Sequence, residues 1–218
     1  MNELTFLFHI LAMVGFVLIS LRLGERAMIA LIALQAVFAN LFVVKQMSLF
    51  GLSVTCSDVF AIGTILSLNL LQEYFGKERA KQAVKISLIS LIFFGVMTQM
   101  HLLYAPISSD TTHFAFAQIF SSSPRILFAS LFTFFLVQRL DLLLFSHLKG
   151  KLPIRIATSL VLSQFLDTVL FSFLGLYGIV ESVFDIIAVS FLIKCIIILL
   201  SSPFTLFSKR FVKNEVSL

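Results

Sequence analysis

Asp167 and Lys194 stand in the middle of two strongly apolar runs, within SQFLDTVLF and SFLIKCIII. A charge at mid-bilayer costs roughly 2.5–3.5 kcal/mol even on lenient insertion scales, so such residues pair with one another or serve a ligand. Their depths in the two runs match. One reading is a structural ion pair that docks two helices. The other is a ligand or proton site built from the same pair, and the two are compatible.

Other polar residues sit at helical spacings in apolar surroundings. Asn69, Gln72 and Glu73 are three and four residues apart, which places them on one helix face. That face must look inward, because lipid satisfies neither amides nor carboxylates. Glu73 lies near the end of its run, where an interfacial charge is the competing reading. Ser163 and Gln164 precede Asp167 by four and three residues and project to the same side. Asp141 follows Gln138 and Arg139 near the end of another run. Arg139 reads as an exposed interfacial charge, whereas Asp141 reads equally well as interfacial or inward. Gln35, Asn40 and Gln99 are single amides, whose commoner role is hydrogen bonding between helices.

Enzyme signatures are missing. The chain has no G-x-S-x-G elbow, no H-E-x-x-H and no paired Cys/His metal spacing. It has no Walker A segment or dinucleotide fingerprint, so it does not itself energise transport with ATP. His9, His101, His113 and His147 are scattered. Cys56 and Cys195 read as unpaired thiols. No catalytic residue, metal or cofactor is expected.

The elements that must position these residues follow from composition. The chain of 218 residues is 59% hydrophobic and 12% charged, with mean hydropathy +1.06. Soluble domains are about 45–50% apolar and about 25% charged, so this is an integral membrane protein. Its length suits one polytopic unit, residues 1–218. Spanning the hydrocarbon core needs roughly 20 apolar residues. Seven runs qualify: about Leu4 to Leu21, Ala27 to Val44, Val59 to Phe75, Ile86 to Tyr104, Ile126 to Phe145, Ile156 to Tyr177 and Ile186 to Phe207. The third is the least apolar. The first is preceded by Glu3 and followed by Arg22 and Arg26, the reverse of a signal peptide's charge order. The 26 Phe side chains mostly face lipid or pack between helices, and a few could stack on a planar ligand.

Basic residues follow alternate runs. Arg22 and Arg26 follow the first; Lys77, Arg79, Lys81 and Lys85 the third; Lys149, Lys151 and Arg155 the fifth; Lys209, Arg210 and Lys213 the seventh. The opposite loops hold little beyond Lys45, Arg125, Glu181 and Asp185. The positive-inside rule then puts the N-terminus outside and the C-terminus inside. The net charge of +5 is explained by these anchors, so the expected partner is the lipid bilayer and not nucleic acid. A homo-oligomer is compatible with the sequence. Gln46 to Asp58 is read as a partly re-entrant loop, and Pro106 to Pro124 as an external loop or short amphipathic segment.

Asn40 and Lys45 with Leu49-Phe50-Gly51, then Ser57-Asp58, then Gln72-Glu73-Tyr74-Phe75-Gly76-Lys77 and the basic turn Arg79-Ala80-Lys81 carry a resemblance. So do Gln138-x-x-Asp141-x-x-x-Phe145, Ser163-x-x-x-Asp167-Thr168-x-x-Phe171, and Lys194 with Pro203. In this combined order the chain resembles the vitamin uptake transporter family, also called the queuosine precursor transporters, over nearly all of its length after about residue 27. Where the family carries an Asp ahead of the Glu in the third span, this chain has Asn69. The resemblance implies a six-helix core (26–210) similar to the substrate-binding subunits of energy-coupling-factor transporters, with residues 1–25 as an additional helix. It implies uptake across the inner (plasma) membrane of 7-deazapurines: 7-cyano- or 7-aminomethyl-7-deazaguanine, queuine or related salvage forms for tRNA queuosine. The expected binding residues are Asn69, Gln72, Glu73, Gln164, Asp167, Lys194, Asn40 and Asp141. Entry is expected from outside, to a site formed by the third, sixth and seventh runs, with proton coupling through Asp167 or Glu73. Competing readings are a binding subunit that needs a separate ATP-driven module, an intramembrane enzyme, and a membrane assembly protein.

Overall fold

Gly24 and Gly76 each end one helix and begin the next. Helix α1 (Asn2–Leu23) meets α2 (Glu25–Phe42) at Gly24, and α3 (Asp58–Phe75) meets α4 (Lys77–Leu102) at Gly76. Their φ angles of 102° and 90° are open to glycine at little cost and strained for other residues. Each junction is thus a one-residue reversal. The computed structural model describes residues 1–120, 124–178 and 182–212. Glu181 and Lys213, used in the charge alternation above, lie outside the described residues.

The remaining helices are α5 (His113–Phe120), α6 (Pro124–His147), α7 (Leu152–Phe171) and α8 (Val183–Ser201). A π-helical turn, Ser172–Leu176, extends α7. A tight 3-10 segment, Ser202–Arg210, extends α8, with Pro203 at the switch where an α-helical N–H would be needed. The seven apolar runs therefore correspond to α1, α2, α3, α4, α6, α7 and α8. Six of these helices, all but α3, are long and apolar enough to cross a membrane. The chain is an all-α membrane bundle. Phe16, Phe93, Phe128 and Phe184 stand out from its surface, as side chains facing lipid do.

Helix α3 is the exception because it is the centre. Twelve of its 18 residues are buried, and α1, α2, α4, α6, α7 and α8 all pack against it. A helix enclosed on every side needs no lipid-facing stripe, so Asp58, Thr64, Ser67 and Asn69 can be carried there.

Ion pairs gather the basic segments at one end. Arg79 Nε lies 3.0 Å from Glu25 Oε2 and joins the two glycine junctions. Arg155 reaches Glu73, Lys77 Nζ donates to Ser146 Oγ at 3.4 Å, and Tyr74 and Ser208 hydroxyls meet at 2.7 Å. The segments following α1, α3, α6 and α8 therefore share one end of the bundle, as the charge alternation requires.

The opposite end corrects one expectation. Residues 46–55 do not enter as an irregular re-entrant loop. They form an antiparallel hairpin, β1 (Gln46–Leu49) and β2 (Leu52–Thr55), paired from Gln46↔Thr55 to Leu49↔Leu52. Phe50 and Gly51 turn it with φ of 53° and 79°, the two positive values of a type I′ turn. The start of α1 packs on this hairpin: Asn2 Nδ2 donates to Ser48 O at 2.8 Å, and Phe50 N donates to Glu3 Oε1 at 3.3 Å. Helix α5 is short and has no buried residue; Gln99 Nε2 ties its end to α4 through Phe120 O at 2.8 Å.

Candidate functional site

Strand β2 covers a cavity of about 610 Å³ between α2, α3, α4, α6, α7 and α8. Small-ligand sites commonly occupy 300–1,000 Å³. Its wall is mainly apolar and aromatic, with Phe94, Phe134 and Phe171 among the rings. Ser172 and Leu176, the two ends of the π-helical turn, also line it. Such turns distort a helix locally and recur at functional sites.

The charged centre of this wall is the pair that the matched depths pointed to. Lys194 Nζ on α8 lies 2.8 Å from Asp167 Oδ2 on α7 and donates to Thr168 Oγ1 at 3.0 Å. Thr168 in turn donates to Gln164 O at 2.8 Å, so its oxygen is free to accept from the ammonium. Lys194 is only 4% exposed, whereas the Asp167 side chain retains 27%. The pair is thus anchored on the lysine side and open on the carboxylate side. An ammonium has three donors; Asp167 and Thr168 take two among the described residues.

Asp58 is a further wall residue that the candidate set omitted. It begins α3, is 5% exposed, and its Oδ2 has no hydrogen-bond partner among the described residues. Lys194 and Asp167 are the charges near it. In the sequence it closes the loop read as Gln46 to Asp58 and stands in the Ser57-Asp58 motif of the resemblance, outside the expected binding set. Gln138, beside Arg139 and part of the Gln138-x-x-Asp141 motif, is another wall residue outside the expected binding set. The structure separates them: Gln138 lines the cavity and is buried, while Arg139 lies 4.8 Å over the Phe135 ring.

The eight expected binding residues fall into two layers. Asn40, Gln164, Asp167 and Lys194 line the cavity. Of these, Asn40 has both polar atoms engaged: Nδ2 donates to Ala36 O at 3.1 Å, and Oδ1 accepts a short bond from Ser130 Oγ. It ties α2 to α6, the interhelical role read for single amides. Gln35 does the same between α2 and α3, accepting from Ser67 Oγ at 3.4 Å.

Asn69, Gln72, Glu73 and Asp141 are not part of the cavity wall. They lie nearer the basic end. The shared face of α3 is as expected, but it looks toward α6 and α7. Gln72 Nε2 donates to Leu142 O at 3.2 Å. Arg155 NH1 donates to both Glu73 oxygens, at 2.9 and 3.1 Å, and its guanidinium lies 4.5 Å over the Phe145 ring. Asp141 is fully buried and its Oδ1 accepts from Ser159 and Ser163 hydroxyls at 2.5 and 2.8 Å. The Asn69 side chain lies against it.

This arrangement can hold a small, partly planar solute that offers hydrogen-bond donors to a carboxylate and amides.

Comparison with known proteins agrees. Residues 55–208 match the family model described as "Putative vitamin uptake transporter". The "Probable queuosine precursor transporter" of Bacillus subtilis (strain 168) is 31% identical over 201 residues, spanning 88% of this chain and 87% of that protein. No solved structure matches the chain. With a family model covering most of the chain and a relative aligned along nearly all of it, the chain belongs to the vitamin uptake transporter family: it is a multi-pass membrane transporter and not an enzyme.

Proposed function

We propose that this transporter imports queuosine precursors, 7-deazapurines such as queuine, 7-cyano-7-deazaguanine or 7-aminomethyl-7-deazaguanine, for salvage into tRNA queuosine. The observation that carries this reading is the acceptor-rich wall around the Asp167–Lys194 pair. Asp58 Oδ2, Gln138 Oε1 and Gln164 Oε1 are buried acceptors with no partner among the described residues. Leaving such groups unpaired costs about 1–3 kcal/mol each, so the wall favours a donor-rich guest. A guanine-like edge presents adjacent N–H donors, which a carboxylate accepts in pairs.

In this reading Asp167 takes the paired donors one on each oxygen, Oδ2 accepting from Lys194 as well. Gln164 meets the mixed donor and acceptor edge. Lys194 offers its remaining donor to the ring carbonyl. Phe171 stacks on the ring, as aromatic side chains do with bases elsewhere. The name of the Bacillus relative supports the same substrate class.

The chain then works as one polytopic unit in the inner (plasma) membrane, with residues 1–25 added to a core of 26–210. The shared basic end faces the cytoplasm by the positive-inside rule, which leaves the N-terminus and the hairpin outside. Solute enters from the hairpin side and leaves at the basic end. Uptake of labelled queuine and 7-aminomethyl-7-deazaguanine, in cells that make none of their own, tests this. Asp167→Asn should abolish uptake at equal membrane expression. Unchanged uptake would remove Asp167 from the site.

A further inference from the structure

One buried carboxylate is not accounted for by the cavity. Asp141 is 0% exposed, inside the bundle toward its basic end. Isolated buried carboxylates are strongly disfavoured unless something neutralises them. The other acids near it are neutralised. On α3, Glu73 is held by Arg155 of α7. On α7, Asp167 is held by Lys194 of α8. On α4, Lys77 reaches Ser146 of α6. On α6 itself, Arg139 lies over Phe135, and His147 Nδ1 pairs with Leu143 O at 2.7 Å. Among the described residues no basic group pairs with Asp141.

The surroundings of its two oxygens differ. Oδ1 receives two serine hydroxyls, at 2.5 and 2.8 Å. Both lie within the ordinary O–H···O range, and the carbonyl oxygen of a carboxylic acid accepts them as a carboxylate oxygen does. Oδ2 is enclosed and meets no hydrogen-bond partner in good geometry among the described residues, and the Asn69 side chain, also 0% exposed, is the polar group beside it. A single proton on Oδ2 resolves this. It removes the charge and leaves Oδ2 a hydroxyl that can donate within the enclosed pocket it shares with the Asn69 side chain.

The cluster is also wired to the cavity. Gln138 is three residues before Asp141 on α6, and Gln164 directly follows Ser163 on α7; both line the cavity wall. The same two helices, α6 and α7, thus carry both these cavity glutamines and the Asp141–Ser159–Ser163 contacts.

We propose that Asp141 is the proton-binding residue of the transport cycle, taking up one proton on Oδ2 from one side of the membrane and releasing it to the other as the solute crosses. The carboxylate becomes a neutral carboxylic acid and returns to a carboxylate, so each cycle moves one proton and consumes nothing. This replaces Asp167 and Glu73 as the expected coupling groups, since each already has a basic partner. The coupling rests on the transport reading above; the proton site itself does not.

Purified protein in liposomes tests it with labelled 7-aminomethyl-7-deazaguanine. One pH unit is worth about 1.4 kcal/mol, so a gradient of about one unit should drive up to about tenfold accumulation by a one-proton symporter. Wild-type influx should also acidify the lumen, a measurement that needs no variant. Asp141→Asn, nearly isosteric, should lose the accumulation and the acidification yet keep ligand-dependent thermal stabilisation. The infrared carbonyl stretch of a protonated carboxyl should be present in wild type at neutral pH, persist in Asp58→Asn and vanish in Asp141→Asn. Accumulation driven by sodium and not by pH, a lumen that stays neutral during influx, or a carbonyl band unchanged in Asp141→Asn would overturn the proposal. If wild type exchanges no deazapurine even at equal pH, the substrate reading fails instead, and the infrared band alone decides the proton site.

Discussion

Lys194 Nζ and Asp167 Oδ2 meet at 2.8 Å across the α7–α8 interface, with the ammonium sealed in protein and the carboxylate opening on the cavity. Breaking a buried pair from one side leaves an uncompensated charge, which typically costs about 3–5 kcal/mol, whereas removing both partners is far milder. Lys194→Met should therefore destabilise the detergent-solubilised protein by an amount near the low end of that range. Lys194→Met with Asp167→Asn should recover most of it in thermal unfolding while transport stays lost. Equal melting of the single and double variants would show that the pair contributes no coupling.

Gln138 and Gln164 carry buried acceptors with no partner among the described residues. Replacing an unsatisfied polar group by an apolar one of similar shape is neutral or stabilising, by up to about 1–3 kcal/mol. Gln164→Leu should raise the melting temperature of the ligand-free protein and at the same time weaken deazapurine binding about tenfold or more, one lost hydrogen bond to a buried site being worth roughly 1.4 kcal/mol. A calorimetric titration beside a thermal melt reads both. A variant that melts lower and binds normally would mean that Gln164 serves packing alone.

Arg155 and Glu73 form a two-bond pair away from the cavity, with side-chain exposures of 18% and 29%. Partly exposed, well-aligned pairs contribute on the order of 1 kcal/mol. Glu73→Gln should lower stability by about that much, more weakly at high salt, and leave the deazapurine Kd unchanged. A large rise in Kd would return Glu73 to the binding set.

Gly76 links α3 to α4 at φ 90°. A side chain in left-handed backbone costs about 1–2 kcal/mol. Gly76→Ala should lower the thermal midpoint accordingly without altering substrate preference. An unchanged midpoint would mean that the junction relaxes into another conformation.

Much of this was legible in the chain. Seven apolar runs gave the long helices, because apolarity over some twenty residues is a signal that tertiary packing rarely overrides. Matched depth gave the Asp167–Lys194 contact, and alternating basic loops gave the shared basic end. The hairpin at 46–55 was not legible: its strands are four residues each, and its turn puts Phe50, a bulky side chain, at positive φ. Nor was the split of the polar residues into two layers. Spacing says which residues share a face of α3, but the neighbour and depth that the face meets are set by packing against α6 and α7. Asp58 stayed outside the expected binding set because it reads as the end of a loop, whereas packing makes it the buried start of α3. Asn40 carried two readings, an interhelical tie and a binding amide, and its partner Ser130, 90 residues away, is set by packing.

The central claim is that the cavity around Asp167 and Lys194 binds a 7-deazapurine. Ligand that binds only the native state raises its stability by mass action, about 2.7 kcal/mol at a hundred times Kd. The most direct measurement is a thermal-unfolding panel on the purified protein with queuine, 7-aminomethyl- and 7-cyano-7-deazaguanine, set beside adenine and unrelated vitamins. A saturable upward shift with at least one deazapurine, absent with adenine and lost in Asp167→Asn, is the expected result. A panel in which no deazapurine shifts the wild type, or in which Asp167→Asn responds as the wild type does, would contradict it.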